Sequence, residues 1–298
     1  MLQGGDGLVY VRWRVLRIGR YLLASIVDAT FALDGGAVFG VVPRPVWERR
    51  FPPDASNRIR LATRCLLASD PDARRHVLVD AGLGTTWAPA DAARYAAERA
   101  PGGLEAALAA AGLTVGDVTD VILSHLHLDH AGGVVRRGAD GALALTFPRA
   151  VHHVQRSNWA WAHGENEKDS GKYLAASFAA LEHSGRLHLV DGERELYPDL
   201  QLVVSEGHTA GQQLARFHGD GTHLTCCADL IPTRAHVRIP WVMAYDLYPL
   251  TTIEEKKVLL AEVLEEEGML FFGHDPEVAA CRLGEVDGRP AVREPVQV

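Results

Sequence analysis

Alternating apolar and polar positions open the chain. Val9, Val11, Trp13, Val15 and Leu16 lie among Arg12, Arg14 and Arg17, which is the period of a strand. Residues 58–68 and 76–79 read as two further strands around the turn-forming Asp70-Pro71-Asp72. Residues 90–100 and 104–111, rich in Ala, Leu and Glu, predict helices that stop at Pro101 and Gly112. The short apolar run 120–124 fits a buried strand. A strand at 150–154 and a helix at 172–183 follow, then strands at 187–190, 202–205, 213–217 and 223–227. Thr252-Ile253-Glu254-Glu255 has the form of a capping box and predicts a helix to about Glu267. Leu270-Phe271-Phe272 predicts a last short strand.

Strands and helices are mixed throughout, and no Pro-, Gly- or Ser-rich linker divides the chain. The expectation is one domain over residues 1–298, with two stacked sheets and helices outside. Its 298 residues suffice for a core without disulfide staples. The four cysteines, Cys65, Cys226, Cys227 and Cys281, form no C-x-x-C pair, and they fit buried, reduced thiols in a cytoplasmic protein. Residues 21–27 after Arg17 and Arg20 are too short for a leader and run into Asp28. No stretch reaches the length of a membrane span. The formal net charge of −8, with no basic run beyond pairs such as Arg49-Arg50, argues against a nucleic-acid partner and for a small-molecule substrate. A homodimer is left open.

Chemistry concentrates in Ser124-His125-Leu126-His127-Leu128-Asp129-His130, which gathers three imidazoles and a carboxylate at the end of an expected strand. Without a shared ion, so many polar groups would be costly to bury there. In extended backbone His125 and His127 project to one side and can grip one cation, while Asp129 and His130 can reach a second. Leu126 and Leu128 would face the core. Nitrogen and carboxylate donors without thiolate suit Zn, Mn, Fe or Co. Further donors stand just after expected strands, in Gly207-His208-Thr209, Cys227-Ala228-Asp229 and Gly273-His274-Asp275.

In order and spacing these motifs resemble the metallo-β-lactamase superfamily. The resemblance implies an αββα sandwich of two mixed β-sheets with the site at one edge of both. It also implies two divalent ions, zinc first among the candidates. His125, His127 and His208 would hold one ion, Asp129, His130 and His274 the other, and Asp229 would bridge them. A hydroxide held between the ions would be the nucleophile. Asp129 would be placed to protonate the leaving group.

The carboxylate bridge at Asp229 resembles the glyoxalase II, lactonase and phosphotriesterase-like branches rather than class B β-lactamases. Asp34-Gly35-Gly36-Ala37-Val38-Phe39-Gly40 and Ala244-Tyr245-Asp246 resemble the lactonase and methyl parathion hydrolase-like branch. The expected activity is hydrolysis of lactones or esters, with phosphotriester cleavage as a side activity. A glyoxalase II-type thioesterase is the alternative, with a β-lactamase or nuclease behind it. Some lactonases of this branch carry a tyrosine three residues after the bridging aspartate, where this chain has Pro232. His236, Tyr245 and Tyr248 are the candidates to take over that substrate contact, and Phe39 and Trp47, in the Gly- and Pro-rich stretch 35–53, are candidates to line an apolar entrance. Trp159, Trp161, His152 and His153 read as packing residues.

Overall fold

The computed structural model describes residues 15–298 apart from 139, 165 and 166. The expected strand through Val9, Val11 and Trp13 thus lies outside the described residues.

The first sheet runs Leu16–Ile18, Tyr21–Asp34, Arg58–Asp70, Arg75–Val79, Asp120–Ile122, Val151–Gln155 and Leu187–Val190. Its first four strands are antiparallel, and its last three join in parallel. The second sheet runs Arg194–Tyr197, Leu200–Ser205, Gln212–Gly219, Thr222–Cys226, Met269–Phe271, Ala280–Val286 and Arg289–Val296. Only the Thr222–Cys226 and Met269–Phe271 pair is parallel there, so both sheets are mixed.

Side-chain alternation assigns each strand face. Leu66, Val77, Val79 and Ile122 of the first sheet meet Leu202, Phe217, Leu224 and Phe271 of the second in the central core. The intervening residues face outward. Cys65, Leu67, Leu78 and Val121 pack under the helices Gly103–Ala110 and Ala175–His183 through Leu104, Leu108, Phe178 and Leu181. Leu270, Phe272 and Cys281 pack under the helix Pro249–Glu265 through Leu259, Leu260 and Val263. The layers are therefore helix, sheet, sheet, helix, as expected. Cys226 faces the central core and Cys227 the outer one, and all four cysteines are free and buried.

Several elements differ from expectation. Tyr21–Asp34, with 14 residues the longest strand, carries no alternating pattern because both of its faces are largely covered. The C-terminal hairpin was likewise not expected. The helix expected over 90–100 runs only from Pro89 to Arg94, and Glu98–Arg99 then pairs as a strand with Thr30 and Ala29. The long strand's edge offers backbone partners there, and they outweigh local helix preference. The last helix begins at Pro249, with Tyr248 as its N-cap and no side-chain cap. Glu255 is drawn from the expected capping box into tertiary bonds, accepting from Ser205 Oγ and from the backbone N–H of Glu206 and Gly207. No helix among the described residues is long and apolar enough to cross a membrane.

Candidate metal centre and its cavity

Strand ends from both sheets deliver the site. The strand Asp120–Ile122 leads into His125 and His127, and a single helical turn, Leu128–Ala131, carries Asp129 and His130. His208 follows Leu200–Ser205, Asp229 follows Thr222–Cys226, and His274 follows Met269–Phe271. Ala228 has φ 43°, an unfavourable left-handed conformation for a residue with a Cβ, just before Asp229.

The loop after Arg75–Val79 supports the His130 turn by close backbone contact. Ala81 N–H donates to His130 O at 2.7 Å. A Cβ at Gly133 would stand 2.0 Å from Ala81 O, so glycine is required at that crossing. Asp28 sits in a bulge of the long strand, where its carboxylate accepts from Leu83 and Gly84 N–H and from Arg99.

The structure brings all seven expected donors together. The ligand atoms of His125, His127, His208 and Asp229 lie within 4.8 Å of one another, and so do those of Asp129, His130 and His274. Asp229 faces both sets. Its Oδ2 is 3.1 Å from His208 Nε2, while its Oδ1 is 3.0 Å from His274 Nε2 and 3.3 Å from His130 Nε2. Asp129 is half-buried, 3.5 Å from His274 Nε2.

The outer ring nitrogens test whether cations fit. His130 Nδ1 meets Asp80 Oδ2 at 2.8 Å, His208 Nδ1 meets Asp246 Oδ1 at 2.9 Å, and His127 Nε2 meets Asp169 Oδ1 at 3.1 Å. His274 Nδ1 meets Ala62 O at 2.7 Å, and His125 Nδ1 meets Ser124 Oγ at 3.1 Å. These acceptors assign the N–H outward and leave each inner nitrogen a lone pair. The inner nitrogens face one another at 2.9 Å for His125 and His127, 3.2 Å for His208 and His127, and 3.0 Å for His130 and His274. Lone pairs so placed repel unless positive charge lies among them. The donor set therefore fits two cations.

The electrostatics agree. Burial, then the neighbouring imidazoles, push His125 far below the usual histidine range. Burial brings His127 down to about 4. Burial also opposes charge on His130, but Asp80, Asp229 and Asp129 more than reverse this and hold it above the usual range. The site thus favours positive charge beside Asp229. Burial works against the Asp229 carboxylate too, yet His208, His274 and His130 keep it well below its ordinary value.

His127, Asp129, His208, Asp229 and His274 form the floor of a cavity whose walls are mainly apolar, from Phe31, Leu33, Val38, Leu61, Trp87 and Met243. Tyr95, Lys172, Pro232 and Tyr245 complete it. Tyr245 lines the cavity. Burial lifts its phenol to about 12, and the hydroxyl makes no hydrogen bond among the described residues. Two other expectations are corrected. Phe39 is fully buried behind the wall, stacked between His236 at 5.0 Å and Trp47 at 5.4 Å. His236 is buried as well, with its ring nitrogens on Thr233 Oγ1 and Val38 O. Neither lines the cavity, because the turn Gly35–Phe39 points Val38 inward instead. Leu126 is core as expected, but Leu128 lines the cavity. Trp161 does more than pack, since its Nε1 donates to Asp169 Oδ2.

Sequence reasoning missed Asp80, Asp169, Trp87, Tyr95 and Lys172. Asp80 and Asp169 lie 50 and 42 residues from the imidazoles they meet, and Trp87, Tyr95 and Lys172 reach the cavity with no diagnostic spacing to the donors. Asp246 alone had a signal, in the Ala244-Tyr245-Asp246 segment.

The metallo-β-lactamase superfamily model matches residues 61–274, which include every donor above. The chain belongs to this superfamily. Among superfamily relatives, it is 30% identical over 185 residues to the N-acyl homoserine lactonase AttM of Azorhizobium caulinodans, covering 59% of this chain and 65% of that one. It is 29% identical over 171 residues to the N-acyl homoserine lactonase AiiA of Bacillus thuringiensis subsp. kurstaki, covering 56% and 60%. The chain thus spans less than two thirds of the curated relatives it matches. A solved structure, a probable metal-dependent hydrolase from Staphylococcus aureus, superposes with TM-score 0.84 at 27% identity over 94% of this chain and 100% of that one. AidC, a dizinc quorum-quenching lactonase, shares the fold with TM-score 0.77 at 20% identity, over 95% and 97%.

Proposed function

We propose that this protein hydrolyses lactones or esters that carry an apolar acyl portion, using two divalent cations, zinc first among them. The observation that carries the reading is Asp229, whose two carboxylate oxygens face separate donor sets on the floor of an apolar cavity. His125, His127 and His208 would hold one cation, and Asp129, His130 and His274 the other. Bound there, the pair would supply Lewis acidity toward a carbonyl oxygen and ease the deprotonation of water.

The chain's own side chains do the remaining work. Leu33, Leu61, Trp87 and Met243 receive the acyl portion and exclude water. Tyr245 stays a neutral phenol and donates its O–H to the substrate carbonyl, the part left vacant by Pro232. Asp129, half-buried on the cavity floor, would take up the proton given up by the attacking water and pass it to the departing alkoxide. Two relatives support this reading by name, as N-acyl homoserine lactonases. A similar fold is described with a homoserine product bound at its catalytic metal center.

The test is turnover by protein loaded with two equivalents of zinc. The panel holds N-hexanoyl-homoserine lactone, an aryl ester, S-lactoylglutathione, a β-lactam and a phosphotriester. Lactone or ester should be cleaved fastest. Metal-loaded protein that cleaves no lactone or ester would overturn the reading, and a preference for S-lactoylglutathione would replace it with a thioesterase.

A further inference from the structure

A second groove lies away from the metal centre, between the segment Ala235–Trp241 and the C-terminal hairpin. Arg50, Arg238 and Arg289 line it, and a smaller hollow lined by Arg49, Arg50 and Arg238 adjoins it. The guanidiniums of Arg50 and Arg238 both rest on one indole, 5.7 and 5.3 Å from the Trp241 ring centre. Among the described residues none of these four arginines has a carboxylate within ion-pair distance. Arg234, beside them, is already neutralised by Asp275 at 2.7 Å and by Glu277. Asp287 is the only carboxylate on the groove wall.

Uncompensated guanidiniums converging on one concave surface are unusual in a chain of net charge −8. They repel one another and are relieved by an oxyanion that accepts from their N–H forks. Arg50 already titrates below its ordinary value, through burial and then through Arg238 and Arg234. The rest of the wall is apolar, from Val237, Ile239, Pro290 and Val292.

We propose that this groove is a second ligand site, for an organic anion with an oxyanion head and an apolar body. The head, a carboxylate or a phosphate ester, sits between Arg50 and Arg238 beside Trp241. The body lies along Ile239 and Val292. Trp241 packs edge-on against Phe39 at 5.6 Å, and Phe39 backs the cavity wall at Val38, so the site adjoins the cavity from behind.

Calorimetry and tryptophan fluorescence on the zinc-loaded full chain test this, with hexyl phosphate, hexanoate, inorganic phosphate and hexanol as probes. At least one amphipathic anion should bind, and whichever binds names the head group. It should bind more tightly than inorganic phosphate, and hexanol should bind weakest. Arg50→Ala with Arg238→Ala should weaken it at least about tenfold while ester turnover and Tm stay unchanged. Trp241→Phe should remove the fluorescence change and leave the calorimetric signal. Unchanged affinity in the double arginine variant would place the anion at the metal cavity and overturn the proposal. So would the absence of binding by both amphipathic anions at millimolar concentration, or inorganic phosphate binding equally well.

Discussion

Asp80 stands 50 residues ahead of His130, yet its Oδ2 lies 2.8 Å from His130 Nδ1. Asp80 adopts φ 60° at the end of its strand, and the same carboxylate receives the backbone N–H and hydroxyl of Ser124. One side chain thus fixes the ring orientation of His130 and the start of the histidine loop. Asp80→Asn should weaken the second metal site by roughly 10–100-fold while the first site keeps its ion. Titration with a chelator, followed by metal analysis, checks this. Equal loss from both sites would mean that Asp80 supports the whole loop rather than one imidazole.

Asp229→Ala removes the only carboxylate that faces both donor sets. The variant should lose one or both metals and nearly all turnover, with its far-ultraviolet circular dichroism unchanged. Near-normal metal content and activity would show that Asp229 does not bridge.

Tyr245→Phe tests the substrate contact. The phenol makes no hydrogen bond within the described residues, so its loss should cost little stability. Turnover should fall about tenfold, the worth of one hydrogen bond made in the transition state, with metal content unaltered. Unchanged kinetics would return Tyr245 to the cavity wall as a packing residue.

His152 gives a pH dependence away from the metals. Burial brings it down from 6.5 to about 4. Between these values the unfolded chain binds a proton that the folded one refuses. Stability therefore falls as pH drops through this window, by up to roughly 3 kcal/mol from this residue. Denaturant unfolding of wild type and His152→Leu should show curves that converge or cross from pH 7 toward pH 4. Parallel curves would mean that His152 finds a way to titrate normally in the fold.

The metal centre was legible because its donors sit at short, fixed offsets. His125 through His130 share one strand end, and His208, Asp229 and His274 each follow an apolar run that reads as a strand. Strand pairing then does the rest, since parallel and antiparallel ladders bring these ends to one edge. What the reading assigned to substrate fared less well. Phe39 and His236 are apolar or polar only by letter, and nothing local says which face of a five-residue turn points inward.

By itself the sequence determined which donor-type residues gather at the strand ends, the layered alternation of strand and helix, and the burial of the cysteines. These follow from the two-residue period of strands and from ligand chemistry, both of which are local. The tertiary structure alone decided which carboxylates orient His127, His130 and His208, that Glu255 ties down the loop before His208, and that residues 98–99 pair as a strand. It also decided that Trp87, Tyr95 and Lys172 meet at one cavity. Those outcomes depend on contacts between segments tens to hundreds of residues apart, where burial and unpaired backbone groups outweigh local preference.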